Sequence, residues 1–241
     1  MDARQILRSR GCLYEYPQDP TRVTRHFVGV GGKHLGGYCN VDPILSDPRL
    51  LWHLAGQLAT TFAEGGNLQP EIVVSPALGA IPLAHLTALQ LMREMPMSHV
   101  DAVWGEKVYD ADRRFTGFVL NRGFDAVVRG RRVLIVEDMI NQGWTIGLLV
   151  EAVRRAGGEV VGVGAVAYNG GMSAEALGVP LFTGLCEFNY PVMAENDCEQ
   201  FGWCAESVPI VLDEALGHGH EYQRLHPDLP RTRFIRLHHY T

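Results

Sequence analysis

The feature that most constrains this chain is a set of uninterrupted apolar runs alternating with helical patterns. "EIVVSPALGAIPLAHLTALQLM" (71–92) reads as strand, loop and helix. "RRVLIV" (131–136) leads through a short polar loop into a helix over 145–156, and "EVVGVGAVAYN" (159–169) is the next strand. "HVDAVWGEK" (99–107) reads as a short strand and "VPLFTGLCEF" (179–188) as one more. Strands that are apolar along their whole length must be covered on both faces. The expected fold class is therefore α/β, a central parallel sheet flanked by helices. "SDPRLLWHLAGQLATTFAEGG" supplies one such helix: Asp47 as N-cap, Pro48 at the first helical position, Leu50, Leu51, Leu54, Leu58 and Phe62 at helical spacing, and a Gly-Gly stop. The glycine-rich "VGVGGKHLGGYCNVD" (28–42) reads as a turn-rich or hairpin segment. The expected division is an N-terminal segment (1–45), a core (46–190) and a tail (191–241) packed on the core.

Two adjacent carboxylates close the strand at 133–136: "VLIVEDMINQGWTI" places Glu137 and Asp138 directly before the polar loop. Ligands of open α/β sheets bind beyond the carboxyl ends of the strands. That rule gathers "SPALGAIP" (75–82), "WGEKVYD" (104–110) and "EDMINQGWT" (137–145) in one place. Backbone amides of residues 141–145, at the mouth of a helix, form an anion nest with the positive end of the helix dipole behind it. Gly143 permits close approach, and Thr145 adds a hydroxyl. A phosphorylated sugar suits both halves, with phosphate in the loop and ribose hydroxyls donating to Glu137 and Asp138. On spacing alone the bland alternative stands beside it: Asp138 satisfies loop amides and Glu137 faces solvent.

A net charge of -6 over 241 residues argues against a generic nucleic-acid or anionic-membrane surface. The sequence has no apolar run of about 18–20 residues, and "MDARQILRSR" lacks a signal-peptide core, so a cytoplasmic location is expected. The five cysteines, Cys12, Cys39, Cys186, Cys198 and Cys204, form no CxxC pair and read as reduced thiols. Cys198 and Cys204 with His218 and His220 could hold zinc, but their spacing is irregular, and no protein metal ligand is assigned.

"RRVLIVEDMINQGWT" resembles the signature of type I phosphoribosyltransferases: four apolar residues, two acidic, two more apolar, then a phosphate loop. The wider chain is similar to the orotate phosphoribosyltransferase branch. "GKHLGGYCN" resembles its N-terminal segment, "LSDPRLLWHLAGQLA" its first long helix, "VSPALGAIPLA" its pyrophosphate loop, and "EKVYDADRRFTGFVLNRGF" its mobile-loop hairpin. The matches run in order over residues 11–190. The resemblance implies a hood built mainly from the N-terminal segment, usually in a homodimer. It also implies transfer of phosphoribose from phosphoribosyl diphosphate, bound with Mg2+ through its diphosphate, to a nitrogenous base, with orotate the default.

Carried over position by position, Glu137 and Asp138 hold the ribose, and Asn141, Gln142, Gly143, Trp144 and Thr145 hold the 5-phosphate. Ala77, Leu78 and Gly79 present backbone to pyrophosphate. Lys107 reaches the diphosphate, and Lys33 approaches from the hood. The chain departs from the pattern in three places. Asn141, Gln142 and Trp144 replace a Thr/Gly-rich loop. Arg113 and Arg114 stand in for the hairpin's cationic cluster. Asn169 lies where an arginine near the pyrimidine carboxylate is expected. Two readings follow: an active transferase, or a non-catalytic member that binds a phosphoribosyl ligand as a sensor or interaction module.

Overall fold

The apolar runs form the centre of a six-stranded sheet. A computed structural model describes residues 2–15, 26–28, 33–64, 68–96, 98–112, 114–201 and 210–211. The chain divides into two units, Met1–Cys12 with Val41–Phe188, and Leu13–Asn40 with Asn189–Thr241. The first unit opens with α1 (Ala3–Ser9). The second holds β1 (Leu13–Glu15), β2 (Phe27–Val28), β3 (His34–Leu35) and β4 (Gly37–Cys39). The first resumes with α2 (Asp42–Leu45), α3 (Pro48–Ala63), β5 (Ile72–Pro76), α4 (Ile81–Glu94), β6 (Asp101–Tyr109), β7 (Phe115–Val119), α5 (Phe124–Val128) and β8 (Arg132–Ile140). It continues through α6 (Trp144–Arg155), β9 (Glu159–Asn169), α7 (Ala174–Leu177) and β10 (Phe182–Phe188). The second unit then adds β11 (Val192–Met193), α8 (Glu195–Phe201) and β12 (Ile210–Val211).

The large sheet has the order β10-β9-β8-β5-β6-β7. All neighbours are parallel except β7, which returns antiparallel beside β6 at the edge. Helices cover both faces, as the apolar strands require. α3 begins where expected, the Asp47 carboxylate accepting from the amides of Arg49 and Leu50 at 3.1 and 3.3 Å. Its Leu51, Leu54, Leu58 and Phe62 are fully buried. The Phe62 ring lies on β9 at Gly162 and Gly164, where an added Cβ would meet it at 2.5 and 3.3 Å, so glycine there makes room for the aromatic. The alternate residues Val163 and Ala165 join Ile135, Leu149, Val150 and Val153 in the core of the opposite face, under α6.

β6 runs nine residues, further than the short strand its sequence suggests. Its second half leaves the parallel sheet and pairs with β7, Lys107 opposite Phe118 and Tyr109 opposite Phe115. An edge ribbon of this kind is half exposed, which is why its sequence reads as polar.

At the amino ends of β5, β6 and β8 the acids Glu71 and Asp101 are tied down by arginines. The Arg131 guanidinium pairs with Asp101 at 2.6 Å and donates to the Glu71 carbonyl at 2.8 Å. The Glu71 carboxylate accepts from the Arg132 amide at 3.1 Å and pairs with its guanidinium at 3.3 Å. Arg131, with help from His99, holds the Asp101 carboxyl below its usual range.

In the second unit β1 pairs antiparallel with β4, and a four-stranded sheet runs β11-β3-β2-β12. All four of its strands are two residues long. No helix among the described residues is long and apolar enough to cross a membrane.

Candidate active site

Three strand ends of the first unit converge on one rim. Glu137 and Asp138 are consecutive on β8, so their side chains leave opposite faces of the sheet. Glu137 is 8% exposed, and its carboxylate accepts from the Asp138 amide at 3.0 Å. It therefore does not face solvent. Burial above all, and then the neighbouring Asp138 charge, push its carboxyl well above the usual range, while Lys107 pulls the other way. The registers explain that pull: Val74 aligns with both Val103 and Ile135, so Lys107 and Glu137, each further along by an even number, share a face.

Asp138 is half-buried on the other side and reaches the loop after β5. A Cβ built on Gly79 would stand 3.8 Å from the Asp138 Oδ2, so the acid pair and that loop are neighbours. Within the loop the Ala77 amide donates to the Gly105 carbonyl at 2.9 Å and is committed to the sheet. The Leu78 and Gly79 amides have no partner among the described residues, and Leu78 is 82% exposed. The Ala77–Leu78 peptide is cis.

The loop after β8 turns at Gly143, whose φ of +74° is the left-handed region that favours glycine. That turn caps α6 without any side-chain hydrogen bond, and the helix's first amides point out of its mouth. Asn141 and Gln142 are exposed, and Gly143 and Thr145 are half-buried. Trp144 is 60% exposed and is not folded over the nest. Its ring meets Phe115 of β7 edge-on. The Lys107 Nζ lies 5.7 Å from the centre of the same Phe115 ring. Phe115 is thus a residue that motif reasoning missed. Its only signal was an aromatic directly after Arg113 and Arg114.

Of the remaining expected residues, Arg114 is exposed at the end of the hairpin turn, its amide donating to the Asp110 carboxylate at 2.8 Å. Arg113 lies outside the described residues. Asn169 is buried at the carboxyl end of β9, aligned with Phe188 of β10. Lys33 is exposed and precedes β3 in the second unit.

A mostly parallel sheet with an acid pair at one strand end, an amide loop against it and a glycine-turned helix mouth beyond defines an α/β protein whose site is suited to an anion. Residues 40–177 match the phosphoribosyl transferase domain, and the chain belongs to that family, in its type I, orotate phosphoribosyltransferase-like branch. It is 31% identical over 187 residues to the orotate phosphoribosyltransferase of Caldicellulosiruptor saccharolyticus, covering 77% of this chain and 86% of that one. To the enzyme of that name from Erythrobacter litoralis it is 31% identical over 185 residues, covering 77% and 88%. Its fold is that of the orotate phosphoribosyltransferase from Aeropyrum pernix (TM-score 0.55, 19% identity, 83% and 97% covered). The Mycobacterium tuberculosis orotate phosphoribosyltransferase is comparably similar (TM-score 0.54, 21% identity, 77% and 94% covered).

Proposed function

We propose that this chain transfers the 5-phosphoribosyl group from phosphoribosyl diphosphate to the ring nitrogen of orotate, releasing pyrophosphate, a step of pyrimidine nucleotide synthesis. The observation that carries the reading is the adjacency of Asp138 to Gly79. That adjacency supports a reading in which a carboxylate for the ribose lies beside amides for the departing diphosphate. In the reaction the bond from ribose C1 to the diphosphate oxygen breaks, the nitrogen-to-C1 bond forms, and the base gives up its ring N–H proton. Positive charge grows on the ribose as the bond opens, and the Asp138 carboxylate, with the Glu137 carboxyl beside it, stabilises that charge. Asn141, Gln142, Gly143, Trp144 and Thr145 form the 5-phosphate loop through backbone amides, with the Thr145 hydroxyl added. Leu78 and Gly79 donate amides to the diphosphate, and Lys107 with Arg113 and Arg114 supplies positive charge. Lys33 acts from the hood, and Asn169 lies toward the base.

Mg2+, when bound with the diphosphate, would help to neutralise the leaving group's charge. The half-buried Asp138 carboxylate offers a hard oxygen of the kind such an ion takes.

The hood of residues 1–45, core of 46–190 and tail of 191–241 belong to the same proposal, as do a homodimer, a cytoplasmic location, and no nucleic-acid or membrane partner. Pyrophosphate release from phosphoribosyl diphosphate with Mg2+ across a panel of bases tests the reading. Orotate-dependent turnover is expected. Tight binding of phosphoribosyl diphosphate without turnover on any base would move the chain to the sensor reading.

A further inference from the structure

We propose that His26, His34 and Cys198 form a zinc site that ties the two ends of the second unit together. His26 directly precedes β2, His34 opens β3 and Cys198 lies on α8. The three side chains are buried, with one ligand atom of each lying within 4.8 Å of the others. His26 Nε2 is 3.1 Å from His34 Nδ1 and 3.8 Å from Cys198 Sγ. Zinc held at about 2.0–2.1 Å by nitrogen and 2.3 Å by sulfur in a tetrahedron separates neighbouring donors by about 3.3–3.6 Å. The two spacings from His26 lie on either side of that range, and with all three donor atoms within 4.8 Å of one another the side chains need only draw together around an ion.

A neutral imidazole at each histidine is the form that offers a lone pair to the ion. Two imidazoles and one thiol are a donor set of intermediate softness that zinc prefers over the magnesium of the proposed catalytic centre. Binding would displace the thiol proton and leave the fourth position for water or another donor.

The fold gives the site its purpose. Strands of two residues contribute few ladder hydrogen bonds, the sheet they form joins β2 and β3 to β11 and β12 from far along the chain, and His26 and Cys198 are themselves 172 positions apart. Closing so long a loop costs conformational entropy, which metal binding can offset. The site differs from the Cys198, Cys204, His218 and His220 grouping that spacing suggested. It shares only Cys198, and the other three lie outside the described residues.

The test uses the full chain, expressed with added zinc and then desalted, with metal content measured directly. Cobalt(II) is then substituted and its thiolate charge-transfer band recorded. About one zinc per chain and a clear band are expected, both lost in Cys198→Ser and His34→Gln and both kept in Cys186→Ser. Because the first two variants could fail to fold, the parent protein carries a second measurement. A strong chelator should lower its melting temperature, and zinc but not Mg2+ should restore it. A metal-free parent unresponsive to the chelator would overturn the proposal. So would a cobalt band surviving in folded Cys198→Ser, or preferential retention of copper. None of these readouts depends on phosphoribosyl transfer.

Discussion

The rings of Trp144 and Phe115 meet edge-on, centroids 5.4 Å apart and planes at 90°, which joins the first residue of α6 to the antiparallel edge hairpin. Filling the phosphate loop must therefore alter the surroundings of this indole. Phosphoribosyl diphosphate with Mg2+ is expected to give a saturable tryptophan fluorescence change, reproduced by ribose 5-phosphate but not by pyrophosphate alone. Trp144→Phe should remove it although three other tryptophans remain. A signal undiminished in that variant would place the ligand elsewhere.

Asp138→Asn removes the half-buried carboxylate nearest the Gly79 loop. Loss of one preorganised electrostatic group typically costs about 10²–10³ in kcat, and a fall of that order is expected. Folding should be unchanged or slightly improved, since the charge that opposes ionisation of Glu137 is gone. Turnover equal to the parent's would remove Asp138 from the site.

Glu137 has a folded-state value raised above the usual 4.5. Its contribution to stability is fully present below that usual value and is lost as pH rises toward and through the raised one. Glu137→Gln has no such dependence. Melting curves should show the parent losing ground to the variant as pH rises from acid to neutral, and the two converging again below about pH 4.5. Parallel pH profiles would contradict a buried, proton-holding carboxyl. Transfer activity should fall in the variant throughout.

Gly143→Ala forces a side chain into the left-handed region, at about 1–2 kcal/mol. Its Cβ would also stand 2.9 Å from the Met172 sulfur, a flexible neighbour that can move. For a chain of this size the melting temperature should drop by about 2–8 °C. Ribose 5-phosphate affinity measured by calorimetry should weaken as the loop amides are re-aimed. Unchanged affinity would show that the helix mouth is not the phosphate site.

Much of this was legible in residues alone because the signals were local. Asp47 and Pro48 mark the start of α3 by chemistry confined to one turn, and the runs ending at Val136 and Asn169 can only be doubly covered strands. Glu137 and Asp138 are visible as neighbours, but their inequality is not. Which one is buried depends on which face α6 covers, a tertiary fact. The contact of Phe115 with Trp144 and Lys107 was hidden because it joins three elements across an edge ribbon whose alternation resembles a loop. The meeting of His26 and His34 with Cys198 was hidden for a plainer reason: no spacing rule spans 172 residues.

The arginine ties at the amino ends of β5, β6 and β8 have a consequence for how such a protein can change. Arg131 and Arg132 neutralise the acids at that pole, whereas Glu137 and Asp138 at the other have no arginine partner among the described residues. Cohesion and reactivity are thus housed at opposite poles of the same strands. Loops at the reactive pole, Asn141, Gln142 and Trp144 among them, can change while the scaffold's anchorage is untouched. A new acceptor specificity could be grafted there without rebuilding the frame.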